Sequence, residues 1–296
     1  VTGCELGTID NVVIDTNRDG LDIDCCKYLT ISNCKINTPH DDALVLKSSY
    51  ALKKPVFTEH IAITNCVITG YKLGSLLDGS YIPEPVSWVC GRFKLGTESN
   101  GGYKNISLSN CTFMYSSGLA FEEVDQGIME NITVSNITMN HVHHYPIYIT
   151  TGCRNRGPKE RTTVSTGRDI MISNMVANDV DSLAGIIVTG MPDEPLRNIT
   201  LSNIQLQFRG GGRAELAKRE YREQGKNYPE PRFAKETPAY GLFARHVDGL
   251  EVNNVTFRTM KPEFRPAAML VDVKNESITN LKADLQKGAK LIVKKK

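Results

Sequence analysis

The sequence predicts an all-β fold, a parallel β-helix in which short strands stack coil on coil. Three observations predict it: one eight-residue pattern recurs along the chain, an Asn holds a fixed place within it, and hairpin turns are nearly absent. The pattern runs apolar–x–apolar–(Ser/Thr/Asn)–Asn–x–x–apolar, and its copies are Leu29–Ile36, Ile61–Ile68, Ile106–Phe113, Ile132–Met139, Ile170–Ala177, Ile199–Leu206 and Leu250–Phe257. Repetition of this kind is the signature of a solenoid, whose units bury their apolar faces on their neighbours.

Each part of the pattern has a physical reading. Alternation ahead of the Asn has period two, so each copy opens as a strand with one buried face. Asn33, Asn65, Asn110, Asn136, Asn174, Asn203 and Asn254 then turn the chain, because Asn tolerates left-handed backbone angles. After the Asn the apolar phase resumes in a second short strand. Asn110 and Asn136 are 26 residues apart, close to one coil, and the wider spacings imply coils that carry loops. A β-sandwich would need Asn-Gly or Asp-Gly hairpins between alternating runs, and a leucine-rich repeat a tighter, Leu-rich spacing. N-x-S/T sequons at Asn105, Asn110, Asn131, Asn136, Asn198, Asn254 and Asn275 arise mostly from the repeat itself.

Two stretches leave the pattern: a loop over 70–92, with Pro83, Pro85 and Trp88, and an insertion over 209–241. The insertion opens at Gly210–Gly212 and includes a charged stretch, Ala214–Lys226, that reads as a short exposed helix. Because the repeat resumes at Leu250, residues 1–296 read as one domain. Long excursions from a rigid scaffold are where binding surfaces tend to be built.

A formal charge of +2 and 23% charged residues give no reason to expect nucleic acid or a membrane surface as partner. No apolar run approaches the roughly 18–20 residues that span a bilayer. The sequence opens in patterned material at Val1 with no initiator Met or signal peptide, so a natural N-terminus upstream is expected. Of the eight cysteines, Cys34, Cys66 and Cys111 each follow the repeat Asn. That placement predicts stacked interior thiols rather than a disulfide framework or a zinc site.

The densest acidic group is Asp19, Asp22 and Asp24, followed by Asp41-Asp42. An isolated Asp19-Gly20 reads as a turn, and Asp22 and Asp24 flank the apolar Ile23 as capping carboxylates would. Asp19 and Asp41, however, are 22 residues apart, close to one coil, which predicts carboxylates stacked on adjacent coils. Stacked carboxylates raise one another's proton affinity, so one can act as acid while another acts as base. Glycoside hydrolysis uses that pairing. The same aspartates could instead hold calcium, as in a pectate-lyase-like β-helix, or belong to a non-catalytic carbohydrate-binding one.

Asn17–Ile23 (NRDGLDI), followed one coil later by His40–Ser49 (HDDALVLKSS), resembles glycoside hydrolase family 28, the polygalacturonase family. That family carries Asn-Thr-Asp-Gly and then an Asp-Asp pair about one coil on. Lys94–Gly102 and Pro238–Val247 are similar to bacterial members that digest pectin and rhamnogalacturonan. The resemblance implies a right-handed, pectin lyase-like parallel β-helix that hydrolyses a pectic polysaccharide or oligosaccharide with inversion, exo-acting on galacturonate- or rhamnose-containing linkages. It implies Asp41 as general acid, Asp19 and Asp42 positioning the attacking water, and a secreted or periplasmic protein. Carboxylates move the protons themselves, so no metal or cofactor is expected. The chain departs from the family at two motifs. Cys90-Gly91-Arg92-Phe93 stands where polygalacturonases carry Gly-His-Gly, and Gly118–Glu123 where they carry Arg-x-Lys. Lys47, Arg92, Glu98, Glu123 and Arg154 are the substrate-binding candidates in their place, with Lys94 and Asp125 nearby.

Overall fold

The alternating segments stack in register into a parallel β-helix. A computed structural model describes residues 1–85, 89–159, 163–231 and 236–296. Trp88 and residues 232–235, which fall in the predicted loop and insertion, lie outside the described residues. The strands of the first two coils are β1 (Glu5–Asp10), β2 (Val13–Asp15) and β3 (Leu21–Asp24), then β4 (Lys27–Ser32), β5 (Lys35–Asn37) and β6 (Leu44–Ser48). The third coil is β7 (Thr58–Thr64), β8 (Val67–Thr69) and β9 (Phe93–Ser99). From β10 (Gly102–Met114) onward the first two strands of a coil run together, as in β12 (Ile128–Val142), β14 (Thr166–Val180) and β16 (Leu196–Phe208). Their companions are β11 (Leu119–Glu123), β13 (Ile147–Thr151) and β15 (Ile186–Thr189); β17 (Leu242–Thr259), β18 (Ala268–Lys274), β19 (Ser277–Ala283) and β20 (Ile292–Lys295) complete the order.

Pairing between coils is parallel throughout and makes three ladders. The first stacks β1, β4, β7 and the start of β10. The second stacks β2, β5, β8 and the end of β10. The third stacks β3, β6, β9, β11, β13, β15, the start of β17, β18 and β20. Inward positions are mostly apolar on all three, and Leu44, Phe93, Leu119, Ile147, Ile186 and Leu242 form one buried column. Cys34, Cys66 and Cys111 are buried in the interior, and all eight cysteines are free thiols.

The seven repeat Asn residues adopt left-handed angles, with φ between 53° and 57°. From Asn136 to Asn254 each side-chain amide donates to the Asn one coil before it, at 2.9–3.3 Å. A second left-handed corner lies five residues earlier in every coil. Leu6, Tyr28, His60, Asn105, Asn131, Asp169, Asn198, Gly249 and Asn275 occupy it. Mixed occupancy hides this corner from a motif search.

The excursions are less regular than the sequence suggests. Ala214–Lys218 forms a single 3₁₀ turn rather than a helix through Lys226. Beyond it the chain crosses the outer face of the third ladder without regular secondary structure, and Tyr221 packs on Phe243 with ring centroids 5.0 Å apart. Ala120, Tyr148, Ile187 and Met269 belong to the same outer apolar cluster, so the ladder offers the segment a surface to bury. Both feet are tied to one buried ion pair. Glu263 accepts from the Gly212 amide at 2.9 Å, and Arg265 donates to the Thr237 carbonyl at 3.1 Å.

Candidate active site

Asp19 precedes β3, and Asp41-Asp42 precede β6 on the next coil. The coil period here is 23 residues, since Leu21 pairs with Leu44, so Asp19 stands over Asp42 and Asp41 lies one step aside. The Gly20 amide donates to the Asp42 carbonyl at 2.9 Å. A Cβ on Gly20 would lie 2.5 Å from the Ala43 carbonyl oxygen, so only glycine lets the coils approach this closely. The result is three carboxylates, each with an oxygen within 4.8 Å of the others.

Their surroundings separate them chemically. Asp42 is buried, and Arg92 Nε reaches its Oδ1 at 2.5 Å while Lys94 Nζ reaches Oδ2 at 3.2 Å. Cys90 Sγ also donates to Oδ1, at 3.3 Å. Burial alone would raise its pKa, but the two cations outweigh burial and hold the carboxyl well below the usual range. Asp41 goes the other way. Burial first, and then the charges of Asp19 and Asp42, push it up to about 6. Asp19 Oδ2 binds Lys47 Nζ at 2.7 Å, whereas its buried Oδ1 meets no donor among the described residues. A proton held by Asp41 supplies that donor. One carboxyl therefore keeps its proton up to about pH 6 while another stays ionised far below that, the division of labour that acid–base catalysis requires.

Residues from distant coils frame a cleft of about 220 Å³ beside Asp41 and Asp42. The 70–92 loop brings Cys90 back against the site, its amide donating to the Pro39 carbonyl at 2.8 Å. The 209–241 insertion supplies the opposite wall. Glu230 reaches Arg92 Nη1 at 3.2 Å, and the Tyr228 hydroxyl lies 3.1 Å from Thr97 Oγ1. Neither wall residue was among the sequence candidates; the length of the insertion was the only signal for them.

The candidate binding residues divide. Lys47 joins the site but is engaged, since it also binds Asp22 Oδ2 at 2.6 Å. Arg92 lies buried in the cleft floor, shared among Asp42, Glu230 and Tyr145. Lys94 is equally buried and reaches Glu122 at 3.4 Å. Arg154 donates to Asp125 and to the Thr97 carbonyl, with the partly exposed Glu98 3.7 Å away. Glu123 does not reach the cleft. Strand alternation turns Phe121 and Glu123 inward and Glu122 outward, and Glu123 is 0% exposed with Oε1 accepting from the Gly127 amide at 2.9 Å. Burial pushes its pKa up to about 8. Asp125 is likewise 0% exposed and spent on Arg154 and the Arg156 amide. Tyr148 packs beneath the insertion and donates to Gln224 at 3.2 Å.

Asp19, Asp41 and Asp42 could each offer an oxygen to a cation. Lys47 already holds Asp19 Oδ2, and Arg92 and Lys94 hold both oxygens of Asp42. A calcium ion needs six to eight oxygen ligands, and of these three carboxylates Asp42 already has both oxygens engaged by cations.

No family model matches the sequence, and no curated protein does. A solved structure is similar in part. It is the Yersinia enterocolitica family 28 exopolygalacturonase, with 11% identity and a TM-score of 0.39 over 92% of this chain and 46% of that one. The chain thus spans about half the length of that protein. At this level of similarity neither activity nor substrate transfers from one to the other, and the chemistry has to be argued from the site.

Proposed function

We propose that the chain is an inverting glycoside hydrolase that cleaves a pectic polysaccharide or oligosaccharide outside the cytoplasm, in a secreted or periplasmic setting. The observation that carries this reading is the opposed protonation of adjoining carboxyls, with Asp41 pushed up to about 6 and Asp42 held ionised by Arg92 and Lys94. Asp41 donates its proton to the glycosidic oxygen as the carbon–oxygen bond breaks. A water oriented by Asp19 and Asp42 attacks the anomeric carbon and gives up its proton to that pair. Carboxyls this close are more typical of double displacement, where the separation is roughly 5–5.5 Å and one carboxylate bonds to the sugar. Against that route, both oxygens of Asp42 are engaged by cations and Asp19 is tethered by Lys47. The Tyr228–Glu230 wall closes one side of the cleft and favours action at a chain end. Asp41→Asn should keep oligosaccharide binding and lose turnover by about 10²–10⁴-fold; an undiminished rate would remove Asp41 from the role.

A further inference from the structure

We infer that the cleft accepts an uncharged glycosyl residue beside Asp41 and Asp42 and disfavours a uronate there, because the buried and half-buried cations of the site are already paired with carboxylates of the protein. This rests on the hydrolase reading and names the substrate class for it. Arg92 is shared by Asp42 and Glu230, and Lys94 by Asp42 and Glu122. Lys47 is held by Asp19 and Asp22. Arg154 faces Asp125 and Glu98; of the site's described cations only Arg18, largely exposed on the rim 3.4 Å from Asp41, stands outside this pairing.

Carboxylates outnumber cations across this set. The consequence is visible at Glu122, which is fully buried, with Oε1 lacking a partner among the described residues. Burial pushes its pKa up to about 7, against the pull of Lys94 and Arg92. A substrate carboxylate would add one more negative charge to a site whose own carboxyls retain protons, and like charges brought together disfavour binding. A neutral sugar meets no such cost. Tyr228 offers it an apolar surface, since the residue is 42% exposed and its ring is flanked by Lys94 at 5.8 Å and Arg154 at 5.9 Å. An aromatic ring with a fixed hydroxyl suits the C–H face of a hexose or deoxyhexose.

The test uses Asp41→Asn protein and two pectic trisaccharides identical except at the non-reducing end, one ending in galacturonate and the other in galactose. Titration calorimetry should show the neutral-ended probe bound at least about tenfold more tightly, a difference of roughly 1.4 kcal/mol. Adding Glu230→Gln, or separately Glu122→Gln, should narrow that ratio by freeing Arg92 or Lys94. Equal or tighter binding of the galacturonate-ended probe would overturn the inference while leaving the hydrolase reading intact. Failure of both probes to bind, with no turnover of any pectic substrate by the unmodified protein, would overturn both.

Discussion

Replacing Lys47 with Met tests the electrostatics of the carboxyl cluster without touching the proton donor. Lys47 Nζ sits 2.7 Å from Asp19 Oδ2 and 2.6 Å from Asp22 Oδ2, and it tempers the negative field that Asp41 experiences. Lys47 Nζ is 2.7 Å from Asp19, and Asp19 and Asp41 have oxygens within 4.8 Å of each other, so a separation of roughly 7 Å from the Asp41 carboxyl is a fair working distance for the Coulomb energy. At an effective dielectric of about 40–80, suited to a partly exposed site, the Lys47 charge contributes roughly 0.6–1.2 kcal/mol. That corresponds to about half to one pH unit. The sign follows from charge: removing a cation disfavours ionised Asp41, so its pKa, already about 6, rises further. The alkaline limb of the kcat/KM profile should therefore move up by about half to one unit in Lys47→Met. The maximum rate should fall, because Asp19 loses its tether. Hydrolysis followed across pH by reducing-end release, with carbon-13 titration of the labelled aspartate carboxyls, reads both effects. A limb that stays put or moves down would refute the shared-proton account.

Other expectations concern stability and cofactor independence. Glu123 holds a proton in the folded state up to about pH 8 and loses it in the unfolded chain near the ordinary value of about 4.3. Its contribution to stability is therefore full at acid pH, declines as pH rises through that window, and levels off above it. Glu123→Gln should raise the thermal midpoint more at pH 7 than at pH 5; an equal gain at both would show that the carboxyl titrates normally. Asn174→Ala should cost about 1–2 kcal/mol, because it forfeits two ladder hydrogen bonds at 3.1 and 3.3 Å and places a Cβ without Asn's local compensation at φ 54°. Asn174→Gly, which relieves the backbone but not the ladder, should cost less in the same denaturation assay. Activity should survive exhaustive chelation, since the proton transfers assigned here pass between carboxyls and water; loss on chelation with recovery on adding calcium would revive the lyase alternative.

The sequence made some of this architecture legible and hid the rest for identifiable reasons. The repeat Asn was readable because one residue type fills one left-handed corner in coil after coil. The companion corner escaped because Tyr28, His60, Asp169 and Gly249 do the same backbone work with different side chains. Asp19 and Asp41-Asp42 could be placed together from spacing alone, although the true period of 23 residues sets Asp19 over Asp42. Charge pairing could not be read along the chain. Glu230 is 138 residues from the arginine it binds, and only the fold of the insertion brings them together. Glu123 is a different kind of miss. Continuing the alternation from Leu119 and Phe121 turns it inward, so the information was present in the strand phase and was outweighed by the position of its carboxylate beside a motif.

Product analysis by proton NMR tests the central claim most directly, using a panel of polygalacturonate, rhamnogalacturonan and neutral-ended pectic oligosaccharides with chelator present. The account predicts a new reducing sugar whose anomeric configuration at first appearance is inverted relative to the linkage cleaved. An unsaturated uronide, retention of configuration, or no product from any member of the panel would contradict it.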